Sequence, residues 1–301
     1  MKYGVLRNKQ GLTEEEFLSQ YDAGQYERPS VTVDMLVFSV MSEMKKGSVK
    51  LPEKSLKILM VKRGDHPFMG YWALPGGFVN MDESLDTAAQ RELKEETNID
   101  NIYMEQLYTW GDVNRDPRTR IIGCSYMSLV DSSRLDVKAG DDAEDTAWFS
   151  VKCNVVDQKK FGTGKGFCVQ NRVRLVLSND KEELEAIIDI DRTFDGNIVR
   201  VSRELSESRG IAFDHGKIIE YAVESIRSRI ECNTGIVFNL MPEFFTLTEL
   251  RQTYEAILGK ELPEAEFRTK AADMVVEHRP SKLYKYNPNW VEKHLTAQIL
   301  R

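Results

Sequence analysis

Residues 77–99 carry the pattern that most narrows what this chain can become. Gly77 is followed after five residues by Glu83, and after seven more by Arg91-Glu92-Leu93-Lys94-Glu95-Glu96-Thr97-Asn98-Ile99. A helix is predicted from about Ser84 to Thr97. At about 3.6 residues per turn, Leu85, Ala89, Glu92 and Glu96 then share one face. Glu95 flanks that face, one turn from Glu92. A solvated charge face would set its carboxylates opposite the apolar stripe, whereas here two of them continue it. Like charges crowded on an inward face repel unless a cation neutralises them. A hard divalent ion with oxygen ligands does so, and Mg²⁺, with Mn²⁺ as its substitute, suits carboxylates together with substrate phosphates. Gly76-Gly77 ahead of the helix lets the backbone turn tightly and come close to a metal or phosphate.

These residues resemble the Nudix box. Each fixed position of the box is matched except its last glycine, which is Asn98 here. That position follows a helix end and wants a left-handed conformation, for which Asn is the next-best residue. The resemblance implies the α/β class, as a Nudix α/β/α sandwich with a mixed sheet. It further implies that Glu92, Glu95 and Glu96 are the metal ligands and catalytic carboxylates. Gly77, Glu83 and Arg91 would support the loop–helix–loop. The implied reaction is hydrolysis of a nucleoside diphosphate linked to another group, with water attacking one phosphorus and metal neutralising the developing charge. The base comes from the helix or from a later loop. Asp142 and Glu144, in the acidic run Gly140–Asp145, are the loop candidates, against the alternative of an ordinary acidic turn.

Composition sets the wider frame. The chain has 301 residues, 41% hydrophobic and 30% charged, which suits about two folded domains. Its 41 Lys+Arg and 48 Asp+Glu give a net charge of −7, which argues against coating nucleic acid by bulk charge and leaves a local basic patch open. Cys124, Cys153, Cys168 and Cys232 form no CxxC pair and no disulfide framework. The first ten residues lack a signal-peptide apolar run, and Val31–Met41 is too short to span a bilayer. A cytoplasmic protein without membrane attachment is expected.

Gly111–Arg120 carries Arg115, Arg118 and Arg120, guanidinium groups able to clamp phosphates or a carboxylate. By composition alone a charged hairpin turn is the better reading. The run resembles, however, the Nudix subgroup of ADP-ribose hydrolases and Nudix-related transcriptional regulators. Tyr26–Asp34 and Ile211–His215 match the same subgroup. His215 itself reads as a cap or packed side chain, since no metal-ligand spacing accompanies it. Thr246 with Glu249 caps a helix over Leu247–Leu258. A second helix over Pro263–Val276 and a strand at Lys282–Tyr286 then look like a winged helix. In such regulators the second helix enters the major groove and the wing touches backbone. Arg268, Lys270, Arg279, Lys282 and Lys285 are the candidate DNA contacts. Against that stand nine basic and nine acidic residues from position 239 onward, a neutral balance for a DNA reader.

Elsewhere the pattern predicts a capped helix within 11–24, and strands at 31–40, 56–63, 101–110, 120–130 and 146–149. Residues 151–205 read as a strand-rich extension with a possible helix at Asp180–Ile188 and a turn at Asp195-Gly196. The expected division is 1–205 for the Nudix domain, 206–235 for a connecting helix and 236–301 for the winged helix. Subgroup members are commonly dimers, so a homodimer is expected. Two functional readings follow. The first is an Mg²⁺-dependent hydrolase of a nucleoside diphosphate derivative, ADP-ribose first among them. The second is a regulator that senses such a small nucleotide and binds DNA. The crowded carboxylates favour the first, because a pure sensor has no physical need of them.

Overall fold

The computed structural model describes residues 6–43, 53–97, 102–135, 146–232 and 235–290, and the side chains of Glu43, Glu96 and Thr97 lie outside that description. Ten strands form one mixed sheet: β1 (Ser30–Glu43), β2 (Glu53–Lys62), β3 (Trp72–Ala73), β4 (Gly76–Phe78), β5 (Tyr103–Trp110), β6 (Ile121–Val130), β7 (Thr146–Thr163), β8 (Gly166–Ser178), β9 (Glu183–Asp195) and β10 (Ile198–Arg209). The order is β10-β9-β8-β7-β2-β1-β6-β5, with β3 on β2 and β4 on β1. Among the described strands β1 and β6 run parallel and the other pairs are antiparallel, with one further parallel bridge between Trp72 and Ile211. Strand β1 is apolar on both faces because both are covered. Leu36, Phe38 and Val40 enter one core, while Val33, Met35 and Val37 enter the other.

Helix α1 (Glu14–Gln20) is closed by the reciprocal Thr13–Glu16 capping box and buries none of its residues. Helix α2 (Leu85–Thr97) lies on one face of the sheet through Leu85, Ala88, Ala89 and Leu93. Helix α3 (His215–Glu231) covers the other, burying Ile218, Ile219, Ala222, Val223, Ile226 and Ile230. The segment expected to connect two domains therefore closes the sandwich. Helix α4 (Leu247–Leu258) starts at the Thr246–Glu249 capping box and stops at Gly259, which has φ +69°. Helix α5 (Glu264–Ala271) follows, then the hairpin of β11 (Val275–His278) and β12 (Leu283–Tyr286). Leu250, Tyr254 and Ile257 of α4 join the same core as α3, so the C-terminal unit is packed onto the sandwich.

Two expectations need correction. Asp180–Ile188 is not helical. Leu184, Ala186, Ile188 and Ile190 are buried at every second position, a strand period that the helix-favouring Glu, Leu and Ala composition masked. The second helix of the C-terminal unit ends at Ala271, because Val275 and Val276 pair with Tyr286 and Lys285 in the hairpin. Strand β7 also runs well beyond Phe149, lengthened by its thirteen-pair ladder with β8. Asp142 and Glu144 lie outside the described residues. No helix among the described residues is long and apolar enough to cross a membrane.

The start of α3 is held by a charged cluster under the sheet. Arg115 Nε and Nη2 donate to the two carboxylate oxygens of Asp214 at 3.1 and 2.9 Å, and Nη2 also reaches Asp34 at 3.5 Å. The Arg115 side chain is only 6% exposed. Lys217 pairs with Asp112 and lies 3.8 Å from Asp214. Removing one partner of such a set leaves uncompensated charge in the interior. Arg115→Met is expected to destabilise the fold by about 3–5 kcal/mol in denaturant unfolding. Farther along α3, Glu220 is buried, bonded to Arg203 at 3.2 Å, and raised by that burial to about 7. The native chain then holds more protons than the unfolded chain between about pH 4.5 and 7. That contribution, about 3 kcal/mol, is full below the window and lost as pH rises through it. Relative to Glu220→Gln, the wild type should lose melting temperature between about pH 5 and 8.

Candidate functional site

Strand β4 lies antiparallel to β1, with Asp34 opposite Gly76 and Val33 opposite Gly77. At Gly76 a side chain would strike the Val33 carbonyl at 2.2 Å. At Gly77 it would strike the Glu92 carboxylate at 2.3 Å. Two adjacent glycines therefore let the loop sit on β1 on one side and against the helix carboxylate on the other. Glu92 reaches this position because α2 is anchored twice. Ala88, Ala89 and Leu93 pack on the sheet, and Tyr126 Oη donates to Asp86 at 2.7 Å.

Arg91 ties the loop to the helix. Its Nε and Nη2 donate to Glu83 at 3.2 and 2.8 Å, and its Nη2 to the Phe78 carbonyl at 3.3 Å. Its Nη1 donates to Glu92 at 2.6 Å and stands 3.6 Å from Glu95. Glu83 also accepts from the Asn80 amide, and these bonds, Arg91 foremost, bring its carboxyl down to about 2. Glu92 is buried on the stripe, while Glu95 is 57% exposed at its edge. Glu96 follows on the same helix, its side chain outside the described residues. Among the described residues no three metal-ligating side chains converge. The donor set nonetheless fits a hard cation, since Glu92 and Glu95 offer oxygen only and Gly77 leaves the space beside Glu92 free of a side chain.

The three arginines of 111–120 go to different places. Arg115 is engaged in the interior with Asp214 and Asp34. Arg120 donates to the Gly111 and Asp112 carbonyls, closing the loop. Arg118 is at the surface, bidentate to Asp116 and over the rings of Phe78 and Phe213 at 5.5 and 5.7 Å. His215 is buried and accepts the Leu74 amide at Nδ1, which puts any single ring proton on Nε2. Burial lowers its pKa, outweighing the nearby Asp34. Sequence reading matched Tyr26–Asp34 and Ile211–His215 to the subgroup but gave no role to Asp34, Phe213 or Asp214, and it did not single out Arg63. A charged Asp34 inside an otherwise apolar strand was the available signal.

In the C-terminal unit, Lys270 is turned inward, over the Tyr254 ring and toward the Ile230 carbonyl. Arg268 pairs with Glu264 on the exposed face of α5, and Arg279 pairs with Glu277 beside the wing turn. Lys282 holds the left-handed position of that turn, at φ +57°, and Lys285 is exposed on β12. Arg279, Lys282 and Lys285 are thus exposed at the wing, and Arg268 is exposed on α5.

Comparison with known proteins agrees with this architecture. Residues 47–164 match the NUDIX domain, and residues 237–286 match the NrtR DNA-binding winged helix domain. The chain is 29% identical over 286 residues to the ADPR responsive transcriptional repressor NtrR of Acinetobacter baylyi, covering 91% of this chain and 88% of the relative. It is 36% identical over 126 residues to the ADP-ribose pyrophosphatase of Methanocaldococcus jannaschii, covering 42% of this chain and 64% of that one. A MutT/nudix family protein from Enterococcus faecalis superposes with a TM-score of 0.63 at 28% identity, over 93% of this chain and 95% of the other. The chain thus carries a NUDIX domain followed by a C-terminal winged-helix domain of the NrtR type.

Proposed function

We propose that this chain is a DNA-binding regulator whose Nudix domain takes ADP-ribose or a closely related nucleoside diphosphate derivative. The observation that carries this reading is the packing of a complete helix–helix–wing unit onto the Nudix sandwich. Helix α3 begins beside the end of β3, where the Leu74 amide donates to His215, and near its end Arg227 donates to the Ile257 carbonyl of α4 at 2.8 Å. A rod of about 25 Å therefore touches the Nudix loop region at one end and the winged helix at the other. The likeness to an ADPR responsive repressor extends over nearly the whole chain, across both domains, and supports the same reading.

The neutral balance of the C-terminal segment shapes what DNA binding should look like. With few unpaired cations among the described residues, at the wing above all, the affinity rests on a small number of phosphate contacts and falls only gently with salt. Selection from a random duplex pool at about 0.1 M salt should enrich one site, and ADP-ribose should change its affinity about tenfold. Absence of any enriched site, with or without ADP-ribose, would sink this reading. Charge-reversal of Lys282 to Glu should weaken binding across sequences alike, as a backbone contact would.

A second reading, hydrolysis of the same ligand, is favoured by one observation. Glu92 is held in the interior against Gly77, with Glu95 at the edge and Arg91 between them. A divalent ion held by Glu92 and Glu95, with Glu96, would neutralise phosphate charge and activate an attacking water. Arg91 and Glu83 keep the loop in register with the helix, and Arg91 holds the Glu92 carboxylate in place before any ligand arrives. With ADP-ribose and Mg²⁺, the wild type should release product and Glu92→Gln should fall to background. Equal rates in the two proteins would remove the hydrolase reading and leave the sensor.

A further inference from the structure

Arg63 follows β2 and is half-buried, with its guanidinium 4.9 Å above the Phe213 ring. Its Nε donates to the Pro67 carbonyl at 2.6 Å. Its two terminal nitrogens have no hydrogen-bond partner among the described residues, and Asp116 and Asp65 act on it only from beyond ion-pair distance. Arg118 approaches the same ring from the loop before β6, at 5.7 Å. Two guanidinium groups therefore converge on one phenyl ring, although like charges repel. The paired carboxylate between them, Asp116, is already bidentate to Arg118.

The backbone around this point is strained in two places. Phe213 has φ +52° and Phe68 has φ +62°, and their rings meet at 4.7 Å. Bulky residues rarely adopt the left-handed region, and such strain persists only where the surroundings enforce it, often at ligand sites. Here the Phe213 ring lies under both arginines, and the Phe68 ring packs against it. The cluster is continuous with the box. Arg118 also covers Phe78, whose carbonyl is bound by Arg91 and whose ring is 48% exposed.

We propose that Arg63 and Arg118, with the rings of Phe213 and Phe78, form the subsite that takes the base and adjacent phosphate of the nucleoside diphosphate. This rests on the ligand reading given above and adds the residues that recognise it. The chemistry is matched. A planar base stacks on aromatic or guanidinium faces, and a phosphate oxygen satisfies the unpartnered nitrogens of Arg63. The site needs no metal for this part of the ligand, so AMP alone should occupy it.

The test is titration calorimetry of the full chain with ADP-ribose, AMP and ribose 5-phosphate, in EDTA, so that no turnover intervenes. Wild type should bind ADP-ribose and AMP, and ribose 5-phosphate much more weakly. Arg63→Met, Phe213→Leu and Arg118→Gln should each weaken ADP-ribose and AMP about tenfold or more. Thermal melts monitor folding, and Arg118→Gln, at the surface, serves if a more buried variant is unstable. If wild type binds ADP-ribose and all three folded variants bind it equally well, the subsite is wrong and the ligand reading stands. Binding of ribose 5-phosphate as tight as AMP would also overturn the subsite, since the base would then contribute nothing. If wild type binds none of the three compounds, the ligand reading itself fails and the subsite goes with it.

Discussion

The buried contact between Arg115 and the carboxylates of Asp214 and Asp34 is what the rest of the structure depends on. It joins three segments far apart in the chain: β1, the loop before β6, and the first turn of α3. Gly123 makes the contact feasible, because a side chain there would strike Arg115 at 2.4 Å and Asp34 at 2.8 Å. Burying these charges together costs desolvation that only good geometry offsets, so the cluster specifies position more than it adds stability. Asp34 pairs with Gly76 across β1 and β4, so the same residue that meets Arg115 also registers the glycine loop.

From that point two lines of structure diverge. One passes through Gly76-Gly77 to Glu92, Arg91 and Glu83, and builds a carboxylate site on the α2 face of the sheet. The other passes through Phe213, Asp214 and His215 into α3, and along its buried face to the winged helix. The carboxylate site and the winged helix thus share an origin at one sheet register. Helix α3 connects the two, meeting the Leu74 amide through His215 at its start and the Ile257 carbonyl through Arg227 near its end.

Much of this was legible in the residues. The box spacing placed a helix with carboxylates on its apolar stripe, and Glu92 is indeed buried there. Both capping boxes, Thr13 with Glu16 and Thr246 with Glu249, form as their spacing implies. The failures have a common cause. Asp180–Ile188 has helix-favouring composition, yet its ladder with β8 and the α3 surface bury alternate residues and select a strand. Val275 and Val276 continue a helical run in composition, yet hairpin pairing takes them. Long-range pairing overrode local preference in both cases.

The sequence by itself determined the class of fold, the two-domain order and the carboxylate helix, because these rest on local periodicity, capping and fixed spacing. Only the tertiary structure decided what each arginine does. Arg115, Arg118 and Arg120 stand within six residues and look alike in sequence. Folding places one among buried aspartates, one over two aromatic rings and one on loop carbonyls. A long flexible cation takes its role from the partner that the fold brings to it: Arg115 and Arg118 find theirs on β1, β4 and at the start of α3, distant in the chain, whereas Arg120 closes on its own loop. The same holds for Arg63 and Phe213, separated by 150 positions and joined only where the end of β2 meets the start of α3.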